Sequence, residues 1–100
     1  MSWTIDVATL HLALIAYDVT HDRDRARLAD WLEARMTRVQ DSLFEGWMTR
    51  SEAEATALRA AALVEPDDSV RLYLVPRGAV ADCRAWGFPP APCPDGALIV

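Results

Sequence analysis

One hundred residues, 52% hydrophobic and 25% charged, make one small folded domain and exclude a disordered chain. The formal net charge is −5, and all ten basic residues are arginine. An acidic chain of this kind is not a strong non-specific nucleic-acid binder, so any such contact is local or shared with a partner.

Residues 11–17 are apolar on both alternating faces, Leu12, Leu14 and Ala16 on one side and Ala13, Ile15 and Tyr17 on the other. That pattern predicts a central strand covered on at least one side. The run is too short to span a bilayer, and the opening MSWTIDVATL lacks the basic n-region of a signal peptide, so a cytoplasmic protein with no membrane contact is expected. The apolar run stops abruptly at Asp18. Residues 22–36 predict a helix that Thr20 or Asp22 can cap, with Leu28, Trp31, Leu32 and Met36 at three- and four-residue spacing.

Residues 38–48, RVQDSLFEGWM, are extended, but the period slips: Val39 and Leu43 share one parity and Phe44 falls on the other. A bulge, or a tight break between two short strands, is expected at 41–42. TRSE at 49–52 is a capping box that starts a second helix through Ala53, Ala57, Leu58 and Ala61, ended by Pro66. SVRLYLV at 69–75 is a second strong strand, with Val70, Leu72 and Leu74 on one side. The Pro-rich stretch 85–96 is loop, and the apolar tail ALIV, 97–100, predicts an extra strand on a sheet edge, in this subunit or another. The fold class is therefore α+β, a single ferredoxin-like sandwich (βαββαβ) over 1–100 with two helices on one face of an antiparallel sheet.

Cys83 and Cys93 form neither a CxxC nor a zinc knuckle, so free thiols are expected, with a disulfide across the Pro-rich loop as the alternative. Asp18 reads either as a turn residue, favoured for its local hydrogen bonds, or as a metal ligand. Arg23 and Arg27 share a helix face from which Arg25 points away, so the three do not all reach one phosphate. Ser42 can bond a phosphate or cap the bulge. Phe44 reads as core rather than as a base-stacking platform, Trp31 and Trp47 as core or interface, and Glu45 as a weak second ligand. No Ser-His-Asp set, Gly-rich phosphate loop or thiol with a nearby base is present.

LIAYDVTHDRDRARLADWL, then TRVQDSLFEGWMT, then DDSVRLYLVP resemble, in order and spacing, the CRISPR-associated Cas2 family, the small protein of the spacer-adaptation complex. The strand ending in Tyr-Asp followed by Arg-x-Arg and the Arg-Val-Gln-x-Ser-Leu-Phe-Glu block carry the resemblance, which runs from about 12 to 76. GALIV resembles the ending of some members, whereas residues 1–9 are an extension before the usual start. The resemblance implies a ferredoxin-like homodimer that captures short DNA fragments (prespacers) beside the CRISPR integrase. Some members also cut single-stranded RNA or double-stranded DNA with Mg2+ (or Mn2+). By the same resemblance Asp18 is the metal ligand, and Asp18, Tyr17, Arg25, Arg27, Arg38 and Phe44 make the catalytic set. One aspartate per chain is a thin ligand set, which a twofold axis would double. Asp41 departs from the family pattern and adds negative charge beside the implied nucleic-acid face. The competing readings are a stand-alone, toxin-like endoribonuclease and an RNA-recognition module. The latter needs exposed aromatics on central strands, of which HLALIAY offers only Tyr17.

Overall fold

The computed structural model describes residues 9–90. The elements are β1 (His11–Asp18), α1 (Asp22–Glu33), β2 (Thr37–Gln40), β3 (Leu43–Met48), α2 (Arg50–Ala61) and β4 (Ser69–Val75), then a 3-10 helix (Arg77–Asp82). The strands form one antiparallel sheet in the order β2-β3-β1-β4, the ferredoxin-like topology expected from the sequence. The expected strand at 97–100, Cys93 with its alternative disulfide, and the start of the N-terminal extension lie outside the described residues. No helix among the described residues is long and apolar enough to cross a membrane.

β1 sits in the middle because residues 12–17 carry no charge, so both of its faces can be desolvated. Ala13, Ile15 and Tyr17 face the helices, where they join Phe44 and Met48 of β3, Leu28 and Leu32 of α1, and Ala53 and Ala60 of α2. Val70, Leu72 and Leu74 pack against this core from β4. Leu12 is buried apart from that cluster, as is Val80 of the 3-10 helix that contacts β1, which makes a second small core on the far side of the sheet. The 3-10 helix leaves no mark in the sequence, since RGAVAD buries only Val80 and carries no helical period.

Several local expectations are corrected. Helix α1 ends at Glu33 because the N–H groups of Arg35 and Met36 both close on the Leu32 carbonyl, and Met36 reaches the core from the turn beyond. Neither Thr20 nor Asp22 caps it. The N-cap is His21, without a side-chain bond, while the Thr20 N–H is bound by the Asp68 carboxylate and Asp22 pairs with Arg25. Helix α2 opens with the expected capping box: Thr49 Oγ1 accepts from the Glu52 N–H at 3.2 Å and Glu52 Oε1 from the Thr49 N–H at 3.1 Å. Its inner face, however, is Ala53, Ala57 and Ala60. Leu58, about 100° round from Ala57, is 74% exposed, and the helix stops at Ala61, before Pro66. At 41–42 the two strands meet in a tight turn, and the register shifts between Arg38 and Gln40, so a hairpin and a bulge are both present.

Candidate functional site

The alternation of β1 decides what its tip presents. Ala13, Ile15 and Tyr17 point to the helices, so Leu14, Ala16 and Asp18 point to the other face of the sheet, which is open beyond the patch where the 3-10 helix covers Leu12. The Asp18 backbone pairs with Ser69, its side chain is exposed, and it makes no hydrogen bond or ion pair among the described residues. The turn after it is held by other groups. Arg25 donates to the Val19 carbonyl at 2.9 Å and pairs with Asp22. Asp68 accepts from the Thr20 and Glu65 N–H groups, each at 3.0 Å. These bonds, that from Thr20 foremost, hold the Asp68 carboxyl below its ordinary range. Asp18 is thereby left with a free carboxylate.

The other residues expected at the site gather at the same end of the sheet but on the helix side. Tyr17 is adjacent to Asp18 in sequence and opposite to it in space. It is buried, and its hydroxyl donates to the Asp41 carbonyl at 3.1 Å. Its ring lies 6.2 Å from that of Phe44, which is 0% exposed and so belongs to the core, as read from the sequence. The Arg38 guanidinium sits 5.4 Å over the Phe44 ring, donates to the Asp41 carbonyl at 3.0 and 3.3 Å, and reaches Glu33 at 3.2 Å. Arg27 is less committed: its side chain is 60% exposed and 3.6 Å from Asp24. The open groove between α1 and the β2–β3 turn, ≈ 550 Å³, is lined by Arg25 and Arg38 but also by Asp22, Asp30, Glu33 and Asp41. Four carboxylates against two guanidiniums make it a poor phosphate cradle.

Glu45 shares the open face with Asp18. It pairs with Leu14, four residues back along β1, which separates the two by roughly 13 Å, too far to share an ion within one chain. Burial pushes its carboxyl above the ordinary range. Among the described residues, no three His, Cys, Asp or Glu lie close enough together to hold a metal. Magnesium takes one or two protein carboxylates and completes its shell with water and phosphate oxygens, so the exposed carboxylate of Asp18 is a donor of the type that such an ion takes.

Two neighbours of Asp18 are not announced by the sequence. Asp68 is the acceptor that orders the loop beyond Asp18, and nothing in DDS signals a partner so far off in sequence. Arg71 lies on Asp18's face. Its side was legible in the alternation of SVRLYLV, but its row was not, because register is set by pairing.

These features define a class: a ferredoxin-like domain whose central strand ends in an exposed carboxylate, Asp18, with no partner among the described residues. A family model for the CRISPR associated protein Cas2 matches residues 11–82, and the chain belongs to the Cas2 family. It is 35% identical over 92 residues to the CRISPR-associated endoribonuclease Cas2 3 of Synechocystis sp., covering 91% of this chain and 100% of that protein. It is 39% identical over 74 residues to the CRISPR-associated endoribonuclease Cas2 of Thermus thermophilus, covering 73% and 77%. The solved structure of the hypothetical protein TT1823 from Thermus thermophilus aligns with a TM-score of 0.60 and 34% identity over 66% of this chain and 82% of that one. Streptococcus pyogenes Cas2 at pH 6.5 aligns with a TM-score of 0.63 and 24% identity over 76% and 99%, a likeness of fold.

Proposed function

We propose that this chain is a homodimeric subunit of CRISPR adaptation that binds nucleic acid beside the CRISPR integrase and cleaves phosphodiester bonds with Mg2+ or Mn2+. The observation that carries the reading is Asp18: an exposed carboxylate without a partner among the described residues, on the open face at the end of a strand whose other residues are buried or half-buried. A second copy stacked on that face would supply the second carboxylate. The half-buried Leu14, Ala16, Leu43 and Trp47 on the same face give such a stack its apolar surface.

When bound, the ion supplies neutralisation of phosphate charge and activation of water. The chain's own residues do the rest. Asp18 holds the ion, and Arg27, exposed and loosely paired, contacts the backbone of the nucleic acid. Tyr17, Arg25, Arg38 and Phe44 act by position: they tie the β1–α1 loop and the β2–β3 turn down, which keeps Asp18 at a fixed place on the strand end.

The relatives' name of endoribonuclease favours a second reading, RNA cleavage by the free homodimer without the integrase. Both are tested by incubating the purified protein with labelled single-stranded RNA and double-stranded DNA, in magnesium and in chelator, with and without the integrase. Metal-dependent cutting of RNA by the protein alone, with no complex formed with the integrase, supports the second reading. A complex with the integrase on DNA supports the first, and failure of both would end the proposal.

A further inference from the structure

Of the arginines expected from the sequence to handle phosphate, Arg27 meets the nucleic-acid backbone from α1, away from Asp18's face, and the other two are already engaged. Arg38 is over the Phe44 ring on the helix side, and Arg25 is clamped to Val19 and Asp22. Strands β2 and β4 each hold one arginine among the described residues, and that of β4, Arg71, is on the open face. Val70, Leu72 and Leu74 pack into the core, so Arg71 and Tyr73 face the other way.

The register places Arg71 beside Asp18. Asp18 pairs with Ser69 and Ala16 with Arg71, so Asp18 and Arg71 are diagonal neighbours on one face of the β1–β4 pair. Such diagonals lie about 7–8 Å apart at the backbone, within reach of an arginine side chain. The two nevertheless form no ion pair. The Arg71 guanidinium instead takes the Tyr73 hydroxyl as acceptor at 3.3 Å, leaning away from the carboxylate. Its row-mate Ala16 is too small to crowd it. A carboxylate and a guanidinium in adjoining rows, each unpaired with the other, leave a gap between opposite charges that a metal–phosphate unit would complete. Arg84, beyond the 3-10 helix, is turned onto the carbonyls of Ala81 and Cys83 in its own loop.

We propose that Arg71 contacts the substrate phosphate on Asp18's face, its planar fork binding the non-bridging oxygens of the phosphodiester while Tyr73 sets the guanidinium's resting position. The inference rests on the reading that phosphodiesters are bound at Asp18. It adds a cation that the helix arginines cannot supply from the opposite face.

The test is to measure the binding of a short fluorescent single-stranded RNA in chelator over a salt series, and its cleavage in magnesium, for the wild type, Arg71→Gln, Arg71→Lys and Asp18→Asn. Arg71→Gln should weaken binding by about tenfold. It should also flatten the log K against log salt slope by about 0.7 for each phosphate that the chain no longer neutralises. Arg71→Lys should keep the slope but cut more slowly, since an ammonium does not reproduce the fork. It carries the test alone if the glutamine variant fails to fold. Arg71→Gln with wild-type affinity and slope, or Arg71→Lys with the wild-type cutting rate, would overturn the role. If cutting depends on Asp18 while the Arg71 variants behave as wild type, this inference alone is wrong. If the wild type does not cut, the nuclease reading falls and the binding arm still decides Arg71.

Discussion

Replacing Arg38 with methionine separates a residue that holds the site from one that touches substrate. Methionine keeps the stem over Phe44 and removes the guanidinium with its bonds to the Asp41 carbonyl and Glu33. The charged donor to a carbonyl contributes about 1 kcal/mol net. The ion pair to Glu33 is nearly half exposed on both sides and adds up to about 0.5 kcal/mol, and the ring contact about as much again. The sum is roughly 2 kcal/mol, which in a domain of this size lowers Tm by about 10 °C. The assay is thermal unfolding by circular dichroism, paired with RNA cleavage measured well below both transitions. A lower Tm with cleavage within a few-fold of wild type is expected. An unchanged Tm with cleavage reduced by two orders of magnitude would mean that Arg38 stabilises the reacting phosphate directly, and the structural assignment would be wrong.

Three further outcomes are expected. Glu45→Gln should raise stability at neutral pH: burial raises the folded-state value, so the cost is absent below the ordinary value of 4.5 and grows as pH climbs through the raised one. Melting curves for the two proteins should therefore converge in acid, and a gap that widened there would reverse the sign. Asp68→Ala should lower stability, because its carboxylate holds the Thr20 and Glu65 N–H groups. That contribution is present above the ordinary value of 3.8 and is lost as pH falls through the depressed folded value, so equal melting points at neutral pH would count against it. Nucleic-acid binding by the protein alone should be weak and steeply salt-dependent, given the net charge of −5, and tight, salt-insensitive binding in an anisotropy titration would contradict that.

What was legible in the sequence is what local chemistry encodes. The uninterrupted apolar run gave β1, TRSE gave the start of α2, and the alternation of SVRLYLV gave β4 at its observed bounds. The inner face of α2 was misread because Leu58 looks more core-like than Ala60, yet the chain packs this helix on small alanines. The site was only half legible. Asp18's position at the strand tip follows from the pattern, but what holds it there does not. Arg25 on the Val19 carbonyl, Tyr17 and Arg38 on the Asp41 carbonyl, and Asp68 on Thr20 are side-chain-to-backbone bonds, and no residue spacing announces a backbone partner that every residue carries. Tyr17 beside Asp18 suggested a shared site, whereas the pleat puts them on opposite faces.

On the proposed reading, Asp18 from two chains would hold one ion. Titrating Mn2+ into the purified protein, with bound ion counted by electron paramagnetic resonance, tests it most directly. One tightly held Mn2+ for each pair of chains is expected, and none in a folded, dimeric Asp18→Asn variant. One ion per chain, or the same occupancy in that variant, would contradict it.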